Sequence, residues 1–348
     1  MSENKPVRVW VDGCFDMLHF GHANALRQAK ELGDALIVGV HSDDEILFHK
    51  GPPVFSEEER YKMIKSIKWV DEVVENAPYV TEVETLEKYN CDFCAHGDDI
   101  TVGADGLDTY HKVKSANKFK EFKRTHGIST TDLVDRLLQV SKENGCAVEN
   151  GECATMKISS YTKGFGFLPS SLQIAQFQQF IRGPRAGEKV LYVPGSFDLF
   201  HVGHCMFLEE CYKLGTYVIV GVYSDETVKS IYGLKYPIMN LYERVLSVLS
   251  CKFVSNVVIC PPYKITENMM EMLNIDLVVH GKTHCKDAED IFEVPRQLGQ
   301  FSTVDSGSTL TFESLIQRIK DNWQMYEIRK KNKEAKEINY SISDRIIS

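Results

Sequence analysis

Apolar positions along the first third of the chain come in short runs, broken by polar and glycine-containing junctions. Residues 7–12 form an apolar-rich run that closes at Gly13 and predict a strand. Residues 23–31 carry helical spacing and lead to Gly33, read as a C-terminal stop. Residues 35–41 are nearly all apolar, the pattern of a strand covered on both faces. Ser56 followed by Glu57, Glu58 and Glu59 predicts an N-cap and an acidic first turn, opening a helix through Ile67. Residues 70–74 and 93–96 read as further strands, and 129–138 as a helix with Ser129 or Thr130 near its cap. Strand alternating with helix in this way implies a parallel, doubly wound α/β sheet.

The pattern then repeats. GCFDMLHFGH at 13–22 returns as GSFDLFHVGH at 195–204, an offset of 182. The offset holds from Leu26 and Leu208 through Ser42-Asp43 and Ser224-Asp225. Beyond Gly51 and Gly233 it becomes 184, so that Arg60 matches Arg244, and His96-Gly97 matches His280-Gly281. Register kept over more than eighty residues marks a duplicated domain. The organisation expected is a first domain at 1–139, a linker with one short helix at 140–189, a second domain at 190–322 and a charged helical tail at 323–348. In the linker, Leu172, Ala175, Phe177 and Ile181 form the stripe of a docked helix. Gly164 and Gly166 have no strand before them and do not read as a phosphate loop. In the tail, Glu327, Glu334 and Glu337 interleave with the cations around Arg329 and Lys336. That composition predicts a solvated helix with at most weak peripheral membrane contact.

Length agrees with two domains, since 348 residues exceed most single cores. Lys and Arg number 40 against 49 Asp and Glu, a net charge of −9, which argues against a nucleic-acid partner. No apolar run reaches the roughly 18 residues of a membrane span, and the first eight residues lack the apolar core of a secretory signal. The ten cysteines are scattered. Cys91 and Cys94 fall in a buried strand pattern with no second pair at zinc spacing, so they read as structural thiols in a reducing cytoplasm. No set of protein ligands for a metal is read.

The repeated motif carries the chemistry. It sits at a strand end and opens a helix, where backbone N–H groups make an anion site. Gly21 lets a phosphate approach, and His19 and His22 can donate hydrogen bonds to phosphoryl oxygens. Such coincidence of binding and charge stabilisation suits phosphoryl or nucleotidyl transfer. Further along lie Lys50-Gly51, Glu59-Arg60, the segment from Lys68 to Val74, and RTHGISTT at 124–131. With these motifs in this order the first copy resembles the cytidylyltransferase family of HxGH nucleotidyltransferases, the last motif being similar to that family's RTxGIST signature. The resemblance covers both copies. It implies two tandem Rossmann-like nucleotidyltransferase domains forming a pseudo-dimer.

The tandem arrangement resembles family members that join CTP to phosphoethanolamine, releasing pyrophosphate, and this implies both small molecules as substrates. By the resemblance, His19 and His22 stabilise the α-phosphate and the leaving group, and Lys50 bridges the two substrates' phosphates. Arg124 and Thr125 hold the β- and γ-phosphates. Ser129 and Thr130 at the helix start, Gly13 and Phe15 in the motif, and Arg60 complete the CTP side. Mg2+ is expected to accompany CTP as a charge neutraliser. For the amine, Asp16 is the expected carboxylate, with Tyr79, His96 and Asp98 beside it. The acids Asp98 and Asp99, with no aromatic directly after His96, favour a primary ammonium over a quaternary one.

Copy two keeps Asp198, His201, His204 and His280 but places Tyr232 against Lys50. Aligned by eye, Val304-Asp305 stands against Arg124-Thr125. Copy two is therefore expected to be structural or regulatory. Phosphocholine or glycerol 3-phosphate as alternative substrates remains open at this point, as does a non-catalytic nucleotide-binding module. A synthetase-like core sharing HxGH is disfavoured by the missing KMSKS-type loop.

Overall fold

The computed structural model describes residues 5–98, 108–125, 127–143, 167–282, 290–329 and 331. Lys163-Gly164 and Gly166, Asp99 and the tail beyond residue 331 lie outside them. The first half runs β1 (Arg8–Gly13), α1 (Phe20–Lys30), β2 (Ala35–Val40), α2 (Asp43–Lys50), α3 (Glu57–Lys65), β3 (Glu72–Glu75), α4 (Val83–Lys88), β4 (Phe93–Gly97), α5 (His111–Ser115), β5 (Phe119–Phe122) and α6 (Thr130–Glu143). After α7 (Phe167–Phe177) come β6 (Val190–Gly195), α8 (Val202–Leu214), β7 (Tyr217–Val222), α9 (Asp225–Tyr232), α10 (Leu241–Leu249), β8 (Asn256–Ile259), α11 (Glu267–Met272), β9 (Leu277–Gly281), α12 (Glu293–Gln297), β10 (Phe301–Val304) and α13 (Phe312–Asp321). Each half holds a five-stranded parallel sheet, ordered β3-β2-β1-β4-β5 and β8-β7-β6-β9-β10. The order reverses direction at β1 and at β6, so each HxGH motif follows the strand at a topological switch point, where open α/β sheets bind ligands.

Several local expectations shift. Helix α1 begins at Phe20, three residues before the first position of the predicted stretch, because His19 caps it. Gly33 is not a left-handed stop. A Cβ there would stand 2.8 Å from the Val7 carbonyl oxygen and 2.7 Å from Val9, so the glycine serves a close approach of helix end to strand. Helix α2, unmarked by apolar spacing, is capped by Ser42 and carries Asp43, Asp44 and Glu45 in its first turn. In α7 the buried stripe is Gln173, Ile174, Phe177 and Ile181, with Leu172 and Ala175 facing out. Phe177 packs edge-on against Trp69, and the Tyr242 hydroxyl donates to Gln173. Cys94 lies in β4, fully buried, and burial holds the thiols of both Cys91 (about 11) and Cys94 above their ordinary value.

The two halves share one core. Residues of α1, α3 and α6 bury against those of α8, α10 and α13 in a single apolar cluster. The contacts follow a pseudo-twofold. Lys68 N donates to Ser250 O at 3.0 Å, and Lys252 N donates to Ser66 O at 2.8 Å, flanking a bridge between Ile67 and Cys251. Arg136 grips Glu243 with two hydrogen bonds of 2.8 and 3.0 Å, and Arg318 grips Glu59 with two of 2.6 and 2.9 Å. This is the isologous pattern of a C2 dimer written on one chain. The tail departs from the expected solvated helix: residues 323–329 are helical, and Tyr326 is buried in the shared core with 6% of its surface exposed.

Candidate active site

The loop from Gly13 to His19 leaves β1 under strain. Phe15 (φ 50°) and Met17 (φ 47°) both take the left-handed region, and Phe197 (φ 49°) and Leu199 (φ 46°) repeat it. Such backbone costs on the order of 1 kcal/mol or more per residue and has to be held in place. Asp16 holds it. Its buried carboxylate accepts from Val54 N at 3.0 Å, Phe55 N at 3.0 Å and Met17 N at 3.1 Å. Burial raises its pKa, while the amides of Phe55 and Val54 pull it down. Asp16 therefore ties the motif to the 54–55 segment, and its lone pairs are largely committed, which does not suit the amine-binding role expected of it. Arg60 is relocated too. It is fully buried and donates to Cys14 O (2.8 Å), Phe55 O (3.3 Å) and Asp43 (2.8 Å), so it braces the loop from beneath and does not face the nucleotide side.

His19 and His22 close the loop onto α1. His19 Nδ1 accepts from Gly21 N at 3.1 Å, and His22 Nδ1 accepts from His19 N at 3.4 Å, a capping box built from two imidazoles. The rings stack with centroids 4.0 Å apart. Because each Nδ1 is an acceptor, the proton of each neutral ring resides on Nε2. The sequence thus presents two Nε2–H donors side by side. Gly21 is required by this arrangement. A Cβ would lie 2.9 Å from the His19 ring and 3.0 Å from Ile128. Its space is taken by the imidazole and does not serve phosphate access alone.

Three further elements converge on the motif. Thr130, first residue of α6, donates its hydroxyl to Asp16 O at 2.9 Å, and Ser129 caps the helix through Asp132. Arg124 is exposed ahead of this helix, and Thr125 accepts from Asn24 at 2.9 Å. Asp98 accepts from Arg124 N at 2.9 Å and pairs with Lys123 at 3.2 Å, so it positions the Arg124 loop and is not turned to an amine. Lys50 ends α2 with its ammonium 5.6 Å from the centre of the Tyr79 ring, and Cys14 first, then Tyr79, hold it above its ordinary pKa. Tyr79 stacks on His49 at 3.8 Å.

Sequence reasoning missed Asp12. This buried carboxylate ends β1 and accepts from Tyr110 OH at 2.5 Å, Trp10 Nε1 at 3.1 Å and the Thr81 hydroxyl. His96 lies over Tyr110 with ring centres 4.7 Å apart. Asp12, Tyr110, His96 and Tyr79 together form an aromatic-lined acidic cluster at the strand ends.

Copy two repeats the frame without the cations. His201 and His204 cap α8 through the same two bonds, and burial lowers both, His201 to about 4. Asp198 accepts from Ile238, Met239 and Leu199, and Arg244 is buried as Arg60 is. His280, like His96, contacts the carbonyl of the following glycine. Helices α2 and α9 both end before a glycine of positive φ, Gly51 (89°) and Gly233 (103°), which fixes Tyr232 opposite Lys50. The other alignment needs correction. Pairing of β10 on β9 matches that of β5 on β4, and α13 starts as α6 does. Ser306 and Gly307 thus stand opposite Arg124 and Thr125, while Asp305 opposes Lys123. The Lys123–Asp98 pair returns with charges exchanged as Asp305–Lys282 at 3.3 Å. Phe312 takes the place of Thr130 and packs edge-on with Tyr236.

The comparisons agree with this geometry. A family model described as cytidylyltransferase-like matches residues 10–136 and 192–332. The chain is 48% identical to an ethanolamine-phosphate cytidylyltransferase of Mus musculus, over 97% of this chain and 92% of that protein. It is 48% identical to one of Dictyostelium discoideum, over 97% of this chain and 98% of that protein. A choline-phosphate cytidylyltransferase of Arabidopsis thaliana is 46% identical but over 40% of this chain and 47% of its own length.

Proposed function

The chain belongs to the cytidylyltransferase-like family, and we propose that it joins CTP and phosphoethanolamine into CDP-ethanolamine and pyrophosphate, with the chemistry confined to the first repeat. One phosphate oxygen of phosphoethanolamine attacks the α-phosphorus of CTP. The bond from that phosphorus to the bridging oxygen of the β-phosphate breaks, and its electron pair leaves with pyrophosphate. The nucleophile is already anionic, so no strong base is needed. The task is to neutralise charge where two anions meet.

The observation that carries this reading is the pair of Nε2–H donors of His19 and His22 at the start of α1, fixed by backbone bonds to their Nδ1 atoms. They are preorganised to donate to the oxygens of the reacting α-phosphate. Arg124 and the amides at the start of α6 suit the departing pyrophosphate. Lys50 suits the incoming phosphate. Asp12, with Tyr110, Tyr79 and His96 around it, suits the primary ammonium better than Asp16. Mg2+ is kept with CTP as the substrate complex. Among the described residues no three His, Cys, Asp or Glu side chains gather to hold a metal ion, so no step is routed through it.

Among the described residues no helix is long and apolar enough to cross a membrane. We place the enzyme in the cytoplasm on the strength of its reduced, scattered thiols. The test compares His19→Ala/His22→Ala with His201→Ala/His204→Ala, assayed with CTP and either phosphoethanolamine or phosphocholine. The first variant is expected to lose at least roughly a hundredfold in kcat, and the second to stay within a few-fold of the parent. Equal losses at unchanged Tm would reject the assignment to the first repeat, and preference for phosphocholine would reject the substrate.

A further inference from the structure

The tail meets the first repeat's site. Helix α13 stands on the first repeat through Arg318, which donates to Val54 O at 3.2 Å beside its paired bonds to Glu59. Val54 is the same residue whose amide is bound by Asp16. From this anchor the 323–329 helix runs over the motif loop. Tyr326 is 94% buried there, and its hydroxyl has no hydrogen-bond partner. One turn on, half-buried Arg329 lies close enough to Asp16, Lys50, Tyr79 and Tyr326 for its charge to act on all four. Among the described residues it has no hydrogen-bonded or ion-paired carboxylate. Two cations, Lys50 and Arg329, are thus brought into mutual repulsion beside a buried hydroxyl that lacks an acceptor. A buried donor without a partner costs about 1–3 kcal/mol. An anion with several acceptor oxygens would relieve both defects at once.

We propose that Arg329 and Tyr326, carried on the tail that follows the second repeat, complete the first repeat's site by binding the phosphate of phosphoethanolamine together with Lys50. This rests on the first repeat being the reacting one. The phosphate of phosphoethanolamine is favoured over those of CTP by placement. Lys50 and Tyr79 lie beside the acidic aromatic cluster that suits the amine, whereas Arg124 lies across the motif at the start of α6. A dianion held by the Lys50 ammonium, the Arg329 guanidinium and the Tyr326 hydroxyl would sit between the amine cluster and the two imidazoles. On this view the second repeat contributes to catalysis by presenting the tail.

The test uses the full chain, because Tyr326 belongs to the shared core and truncation would expose it. Initial rates of Arg329→Ala, Arg329→Lys and Tyr326→Phe are measured while each substrate is varied in turn, with Tm alongside. Loss of one charge-assisted contact predicts a rise in KM for phosphoethanolamine of roughly tenfold or more in Arg329→Ala. KM for CTP should stay within about twofold, Arg329→Lys should recover part of the loss, and Tyr326→Phe should show a smaller rise. Unchanged KM for phosphoethanolamine, or equal rises in both KM values, would overturn the proposal. So would a higher kcat at unchanged KM, which would make the tail an obstruction. The His19→Ala/His22→Ala variant is run in parallel. If it keeps its turnover, the assignment to the first repeat fails. If it is inactive while Arg329→Ala matches the parent, only the role of the tail fails.

Discussion

Single carboxylates in this chain differ by what surrounds them. Asp16 and Asp198 are the two copies of one structural part, each a buried clasp on backbone amides. Burial pushes Asp198 up to about 6 although three amides favour its charge. The folded protein therefore holds this proton more tightly than the unfolded chain does. Its contribution to stability is complete below pH 4 and is lost as pH rises through about 6. Asp198→Asn cannot ionise and should lack this slope. Between pH 4 and pH 7 the parent's unfolding free energy is expected to fall by about 3 kcal/mol more than the variant's, as read by urea titration at each pH. Asp12 shows why some residues could not be read in advance. Its hydroxyl partners Thr81 and Tyr110 lie 69 and 98 positions away, so no local pattern marks it. His19 and His22 were legible because everything that orients them is within three residues.

Elements were legible where their caps and periods are local. The Ser56–Glu59 capping box and the buried β2 run fall where the sequence places them. Helix α7 slipped by one position because two polar residues, Gln173 and Gln176, lie within its inner half. Gln173 is buried through its bond to Tyr242, a partner visible in three dimensions alone. The start of α6 has an element-level job. Its Thr130 hydroxyl fastens the helix to the carbonyl of Asp16 and so joins the triphosphate side to the strained motif. Thr130→Val keeps the shape and removes that bond. It should cost about 1 kcal/mol of stability and raise KM for CTP several-fold. Circular dichroism melts and CTP saturation curves check the two effects. In the second repeat Phe312 already stands at this position, so the corresponding tether does not exist there.

Across the whole molecule the two reciprocal arginine clasps are unequal. Arg136 and Glu243 are nearly excluded from water, whereas Arg318 and Glu59 are more open. Removing one partner of a buried pair leaves an uncompensated charge. Arg136→Met is accordingly expected to destabilise by on the order of 3 kcal/mol, and Arg318→Met by clearly less. The additional substitution Glu243→Gln should restore much of the loss in the first case. Denaturant midpoints of the single and double variants check this. The duplication was readable from sequence because both copies keep register. The seam between them was not, since it depends on which faces of α1, α3, α8 and α10 meet.

That seam has a consequence for how the chain is made. The first repeat leaves the ribosome with its half of the shared core uncovered, and its complement lies well over a hundred residues downstream. At ordinary translation rates the wait is roughly ten to forty seconds. Throughout it, Arg136 and Glu59 of one nascent chain match Glu59 and Arg136 of another, and Ile67 matches Ile67, because the face was built to meet its own likeness. Neighbouring chains on one messenger are thus competitors for the place that the second repeat will take, and the tether of the linker, by raising local concentration, is what lets the chain's own second half win.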